Sequence, residues 1–319
     1  MSDPLVSVLI PSHNAAPWIG ETLRSALAQS WTNLEIIVVD DGSTDESAAI
    51  AERSGSARVR VIRQPQGGAA AARQRALAGA RGDYLQYLDA DDLRAPDKIA
   101  RQVALLRAAG PRAVATAPWA RFSIDLAGAE FAPASNWRDF LPVDYLVETF
   151  QSGGMMHPAA WLTPRAVAET AGPWNPRLSL DDDGEYFTRI VLAADRIAFC
   201  GDTASYYRSL LPGSLSGSRS AAAWRSAQLV CELSTGALLA REDSPRTRRA
   251  CALYWLRLAF AAYPEGKGVV PEALARARAL DPLARRPAVG PAFEAGARLI
   301  GWRLAKRLRA ALPKSATRS

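Results

Sequence analysis

Three near-continuous apolar runs constrain the fold of this chain more than anything else in it. They are Leu5-Val6-Ser7-Val8-Leu9-Ile10, Leu34-Glu35-Ile36-Ile37-Val38-Val39 and Tyr84-Leu85-Gln86-Tyr87-Leu88, and each stops abruptly at a polar cluster. Runs of this kind suit strands buried on both faces, which calls for a parallel sheet with helices on either side. The intervening segments supply those helices. Trp18, Ile19, Leu23, Ala26 and Leu27 recur at helical spacing, and Ser43 with Glu46 fits a capping box. Val59 to Ile62 reads as a further strand; Gln66-Gly67-Gly68 then leads into an Ala-rich helix that carries Arg73 and ends near Gly82, and Pro96 suits the first turn of a helix running towards Gly110. The expectation is an α/β fold whose ligands gather at the C-terminal ends of the strands.

The strand ends carry Pro11-Ser12-His13-Asn14, Asp40-Asp41-Gly42-Ser43 and Asp89-Ala90-Asp91-Asp92. Three carboxylates within four residues repel one another unless a cation lies between them. Oxygen ligands of that type suit Mg²⁺ or Mn²⁺, which take one or two carboxylates and leave other positions to water and phosphates. An acidic turn before a helix is the plain alternative for Asp89–Asp92. Neither the Gly-x-Gly-x-x-Gly of a dinucleotide site nor the Gly-x-x-x-x-Gly-Lys of a P-loop is present.

Composition adds limits. No run is apolar for long enough to span a bilayer, and the N-terminus lacks the order of a signal peptide. Cys200, Cys231 and Cys251 are scattered, which suits reduced, packed thiols in a cytoplasmic protein, and two histidines are too few for a histidine-rich zinc site. The net charge of +7 is matched by seven basic residues between Arg298 and Arg318, with no acid among them. That is a basic tail, not a nucleic-acid-binding surface.

Taken together, Val6–Asn14, Asp40-Asp41-Gly42-Ser43-Thr44-Asp45 and Asp89-Ala90-Asp91-Asp92 resemble the family 2 glycosyltransferases of GT-A fold. The resemblance covers roughly residues 4 to 210. It implies inverting transfer of a sugar from a nucleotide-sugar donor, UDP- or dTDP-linked, to a glycan or lipid-linked acceptor, as in surface or exopolysaccharide synthesis. By that likeness, Pro11, His13 and Asn14 border the nucleobase and Asp41 accepts the N3–H of a uracil-type base. Arg73 lies near the nucleotide, Asp89 and Asp91 contact ribose and metal, and Asp92 is a further metal-ligand candidate.

A second acidic stretch, Leu178-Ser179-Leu180-Asp181-Asp182-Asp183, precedes a helix whose Phe187, Ile190, Val191 and Ala194 share one face. Acids favour a helix N-terminus, yet one is enough for a cap. Aligning on Arg189 places Asp182-Asp183 on the family's Glu-Asp pair, so Asp183 is the candidate base, with Asp181 and Asp182 still open. Tyr206-Tyr207-Arg208 with Ser214-Leu215-Ser216 resembles the family's closing segment, but Ser209 replaces the usual histidine, and Arg208 is left to offset diphosphate charge. His157 reads as a satisfied polar residue on a packed strand edge, and 125–144 as an irregular, substrate-facing insertion.

The expected division is a glycosyltransferase domain over 1–217, with a nucleotide half to about 112 and an acceptor half over 113–217. A helical region follows over 218–319, with Trp224, Leu229, Leu233, Leu253, Leu256 and Phe260 as core stripes. In the tail, Ile300, Leu304, Leu308 and Ala311 make an apolar stripe amid basic residues, as in an interfacial helix on an anionic membrane. Leu299 and Trp302 lie off it, so packing on the protein's own domain or on another protomer is an equal reading. Two other classes share parts of the pattern. A nucleotidyltransferase has a similar acidic core but a Gly-rich basic loop after its first strand, and a non-catalytic nucleotide-sugar sensor has no use for Asp183.

Overall fold

In the computed structural model, which describes residues 3–209, 217–286 and 288–311, the chain begins with alternating strands and helices. These are β1 (Val6–Ser12), α1 (Ile19–Leu27), β2 (Leu34–Asp41), α2 (Ser47–Glu52), β3 (Val59–Gln64), α3 (Ala69–Gly79), β4 (Tyr84–Tyr87), β5 (Leu93–Arg94) and α4 (Lys98–Ala109). There follow β6 (Ala113–Thr116), β7 (Trp119–Phe122), β8 (Glu130–Phe131), α5 (Pro142–Ser152), β9 (Thr163–Pro164), α6 (Arg165–Ala171), α7 (Asp182–Ala193), β10 (Arg196–Phe199) and β11 (Ser205–Arg208). The rest is helical: α8 (Ala221–Arg241), α9 (Pro245–Ala262), α10 (Val269–Leu280), α11 (Pro291–Ile300) and α12 (Trp302–Ala311).

The main sheet has the order β3-β2-β1-β4-β9, parallel except for the short edge strand β9. Its two faces explain the apolar runs. Val8, Ile10, Ile36 and Val38 pack with Leu23 of α1 and Val103 of α4. Leu9, Ile37 and Val39 point the other way, into the cluster holding Ala76 of α3 and Ile190 of α7. A strand with both faces covered has no solvent side on which to alternate. Strand β1 runs through Pro11 instead of ending there. Its pairing with β4 stops at Leu9–Tyr87, so the missing N–H of Pro11 falls where that neighbour has gone. Two smaller sheets, β5-β11-β7-β8 and β10-β6, extend the crevice beyond β4.

Several sequence expectations are revised. Helix α2 begins at Ser47, where Asp45 Oδ1 accepts from the Ser47 N–H at 2.9 Å; Ser43 Oγ instead accepts from the Asn14 N–H at 3.0 Å. The stretch 125–144 contains a 3₁₀ turn, the strand β8 that pairs back on β7 and the start of α5, and the chain at His157 leads into a single 3₁₀ turn, not a strand edge. In the helical region the buried face is built from Ala227, Cys231, Ala252, Ala259 and Ala273 around Trp224 and Trp255. Leu229, Leu233, Leu253, Leu256 and Phe260 are only half-buried, because small residues bring the helix axes close and push the longer side chains to the rim. All three cysteines are buried and unpaired. No described helix is long and apolar enough to cross a membrane.

Candidate active site

The C-terminal ends of β1, β2 and β4 meet the N-terminus of α7 at one crevice. At the β2 end, Asp41 is buried and its carboxylate holds the loop between β3 and α3. Oδ1 accepts from the Gly67 N–H at 2.8 Å and from Gln64 Nε2 at 2.7 Å, and Oδ2 accepts from the Gly68 N–H at 2.7 Å. A carboxylate has about four acceptor positions, so one remains for a ligand donor. His13 Nδ1–H donates to the Asp41 carbonyl at 2.9 Å, and Asn14 Oδ1 accepts from the Thr44 N–H at 2.9 Å. These bonds tie the loop after Pro11 to the Asp-Asp-Gly-Ser turn. Gly42 has φ +71°, and a Cβ there would lie 2.8 Å from the Gln66 nitrogen, so the turn requires glycine.

Arg73, on α3, is buried at the centre. Its guanidinium donates to Asp182 Oδ2 at 2.6 Å and to Asp89 Oδ1 at 2.8 Å, bridging the tip of β4 to the start of α7. It lies over the indole of Trp174, 5.0 Å from the ring centroid. Trp174 stacks in turn on Tyr186 with centroids 4.0 Å apart, and its Nε1–H donates to Tyr87 at 2.7 Å. Trp174 was not singled out from the sequence. The available signal was a tryptophan held between Pro173 and Pro176 just ahead of the acidic run.

The three acids at α7 have different surroundings. Asp181 occupies the N-cap with φ +62° and accepts from the Tyr254 hydroxyl at 3.1 Å, but makes no side-chain cap. Asp182 is consumed by Arg73, which argues against it as the base. Asp183 has no ion pair among the described residues. Burial, reinforced by the negative charges of Asp182 and Asp181, raises its pKa to about 7.

At the β4 tip the acids again separate. Asp92 is fully buried, with Oδ2 3.1 Å from His157 Nδ1 and Oδ1 accepting from the Arg208 N–H at 2.9 Å. Both oxygens are engaged inside the protein, whereas Asp91 is half-buried, so of the two metal-ligand candidates Asp91 is the one open to the crevice. His157 spans Asp92 and Ser205 Oγ (2.8 Å), and burial lowers its pKa to about 3, so it is neutral. Arg208 is likewise not free to meet a diphosphate. It donates to the carbonyls of Asp91 (2.9 Å) and Ser123 (3.1 Å) and to Glu21 Oε2 (2.6 Å), and lies between Trp18 and Phe122. Arg208 is a clamp between β11, α1 and the acidic tip. Ser214-Leu215-Ser216 lies outside the described residues. Asp89 pairs with Arg73 and Asp92 meets the neutral His157, whereas the Asp91 carboxylate has no ion-pair partner within the described residues. Burial, then the adjacent Asp92 and Asp89, raise its pKa to about 8.

Residues 7–170 match the glycosyl transferase family 2 model. The chain belongs to that family. A stretch of 91 residues is 44% identical to the uncharacterized glycosyltransferase EpsJ of Bacillus subtilis (strain 168), covering 28% of this chain and 26% of EpsJ. The chain therefore matches only about a quarter of that relative's length. Among solved structures, S. aureus TarS 1-349 in complex with UDP-GlcNAc superimposes with a TM-score of 0.71 at 18% identity, over 96% of this chain and 91% of TarS 1-349. The mannosyltransferase PcManGT from Pyrobaculum calidifontis, in complex with GDP-Man and Mn²⁺, gives 0.55 at 21% identity, over 97% and 84%. These likenesses agree with the GT-A fold expected from the sequence.

A divalent ion in this crevice would be held by few protein ligands. No three His, Cys, Asp or Glu side chains among the described residues are arranged to hold one. Asp91 nevertheless fits, because it is a hard oxygen donor held beside two other acids, and its carboxylate has no direct ion pair among the described residues. The helical region supports the other end of the crevice. Ser226 Oγ, on α8, accepts from the Ser179 and Leu180 N–H groups at 2.8 and 3.0 Å, fixing the segment that leads into Asp181. Ser226→Ala leaves both donors without that partner, at a cost of about 1–2 kcal/mol. Transfer is expected to fall by roughly 3–10-fold with the donor KM unchanged, since the loss of support is confined to the segment leading into Asp181. Steady-state kinetics on the purified variant checks this; a change confined to donor KM counts against it.

Proposed function

We propose that the protein is a metal-dependent inverting glycosyltransferase that moves a sugar from a UDP- or dTDP-linked donor to a hydroxyl of a glycan or lipid-linked glycan in surface polysaccharide synthesis. The observation that carries this reading is the contrast among the acids of α7. Asp182 is paired directly with Arg73, whereas Asp183 has no ion pair of its own among the described residues and is poised near neutrality. That is the state a general base needs. Asp183 accepts the acceptor's hydroxyl proton as the oxygen attacks the anomeric carbon, and the bond from that carbon to the diphosphate oxygen breaks on the opposite face. A dication at Asp91 would offset the charge of the departing diphosphate. Arg73 keeps Asp89 and Asp182 at fixed separation, so the donor and acceptor ends hold register. Residues 1–112 hold the nucleotide in this reading, 113–217 face the acceptor, and the helices after 217 brace the acidic loop. Three unpaired cysteines suit a cytoplasmic setting, with peripheral contact to a membrane through the C-terminal helices.

The test is donor turnover together with nucleotide binding. With Mn²⁺ or Mg²⁺, the protein is expected to release nucleoside diphosphate from its donor, and to be stabilised more by uridine than by cytidine diphosphate in a thermal-shift screen. Asp41→Asn should weaken uridine diphosphate binding by roughly 1–3 kcal/mol, as for a hydrogen bond to a charged group. Equal binding of the two diphosphates removes Asp41 from base recognition. Absence of turnover across nucleotide sugars, with binding intact, identifies a sensor instead.

A further inference from the structure

The two C-terminal helices meet at Gly301, whose φ of +77° turns α11 into α12. Helix α12 docks on α9 through one face. Trp302 packs against Phe260 and Tyr263, with ring centroids 5.6 and 5.3 Å apart, Ala305 is buried, and Lys306 Nζ donates to the Phe260 and Ala261 carbonyls. At 100° per residue, Leu304 and Leu308 lie on the opposite side of the helix. The apolar stripe seen in the sequence is therefore not what packs on the domain. Leu304 and Leu308 are 47% and 52% exposed, and Ile300 and Leu299 at the elbow are 43% and 86% exposed.

Beside this apolar edge, α10, α11 and α12 enclose a cleft of about 520 Å³ lined by Arg278, Arg303 and Arg307 together with Tyr263 and Trp302. Neighbouring arginines are neutralised: Arg249 by Asp281, Arg276 by Glu272 and Arg286 by Glu294. Among the described residues the three cleft arginines have no carboxylate partner; Arg303 and Arg307 rest on the Tyr263 ring, 6.0 and 5.4 Å from its centroid. Three guanidinium groups converging without an anion repel one another, and a phosphate offers the bidentate acceptor they match. Ile300 and Leu304 line the cleft as well as the exposed edge, so the cationic and apolar surfaces are continuous. From Ala295 to Ala311 the chain carries five basic residues and no acid.

The geometry points to the α11–α12 elbow as a docking site for an anionic phospholipid bilayer, with the cleft of Arg278, Arg303 and Arg307 holding a headgroup phosphate and Leu299, Ile300, Leu304 and Leu308 entering the acyl boundary. Charge complementarity selects this occupant, because a neutral apolar partner leaves the three arginines uncompensated. The site deepens the peripheral contact proposed above and rests on it, but takes no part in transfer, so vesicle binding and donor turnover fail independently.

The test is co-sedimentation of the full chain with phosphatidylcholine vesicles, with and without phosphatidylglycerol. Binding is expected only with the anionic lipid and is expected to fall as salt rises. Arg303→Gln/Arg307→Gln should weaken it by about 25-fold, near fivefold for each charge. Leu304→Ser/Leu308→Ser should weaken it by more than about tenfold. Both pairs are exposed, so thermal unfolding and donor hydrolysis should be unchanged. Equal binding to neutral vesicles, or undiminished binding by both variants, overturns the proposal. Stabilisation by inorganic phosphate without vesicle binding assigns the cleft to a soluble anion and also overturns it. So does a dimer in light scattering that Leu304→Ser/Leu308→Ser dissolves, because the edge then belongs to a second copy.

Discussion

Asp183→Asn is expected to slow transfer by something like 10²–10⁴-fold while leaving folding and donor binding intact. The amide matches the carboxylate in size but cannot take the acceptor's proton. Because Asp183 has no ion pair among the described residues, its replacement breaks no salt bridge. Removing its charge also relieves repulsion from Asp181 and Asp182, so stability should hold or rise slightly. Asp182→Asn is the informative contrast. It leaves Arg73, buried, with Asp89 as its one direct ion-pair partner among the described residues, and should destabilise the protein as well as slow it. The pH profile gives an independent check. A base whose pKa is raised to about 7 is protonated below that pH, so the transfer rate should fall about tenfold per unit on the acid side and level off above it. Near-normal transfer by Asp183→Asn, or a flat profile between pH 5 and about 8, removes the role from this residue.

The strand ends were legible because local rules write them. A strand covered on both faces reads as an apolar run, and whatever follows it at the C-terminal end lies at the crevice. The partners of each acid were not legible. Asp89, Asp91 and Asp92 look alike in sequence, yet Asp89 pairs with Arg73, Asp92 meets His157 and Asp91 has no ion pair among the described residues. What distinguishes them comes from residues 16 and 65 positions away. Arg208 shows the same limit. An arginine after two tyrosines reads as a phosphate contact, and only the fold reveals Glu21 and three backbone carbonyls already occupying it. The three adjacent acids at α7 could be recognised as more than a cap requires, but it took Arg73, over 100 residues earlier, to separate Asp182 from Asp183. In the helical region the error had another source. Leucines at helical spacing suggested the core, whereas close helix contacts selected alanine and cysteine and left the leucines at its edge.

Asp91→Asn is expected to move stability and activity in opposite directions. In the metal-free protein the Asp91 carboxyl has its pKa raised to about 8, so the folded state disfavours the charge that the unfolded chain carries freely at neutral pH. The sign follows from linkage. Below the ordinary carboxylate range both states are protonated and Asp91 has no effect. As pH rises towards 8 the unfolded state ionises first and stability is lost. Asparagine cannot ionise, so the variant should be more stable than the parent protein near pH 7 by about 1–3 kcal/mol, less than the full shift because the carboxyl keeps part of its water. The advantage should vanish near pH 4. Transfer should be abolished and metal-dependent donor stabilisation lost, because the neutral amide is a poor ligand for a hard dication. Chemical unfolding with and without Mn²⁺ and donor, at two pH values, measures both arms. Unchanged metal-dependent donor binding would sink the ligand assignment. A variant less stable than its parent at pH 7 would show that the Asp91 charge is already compensated within the protein.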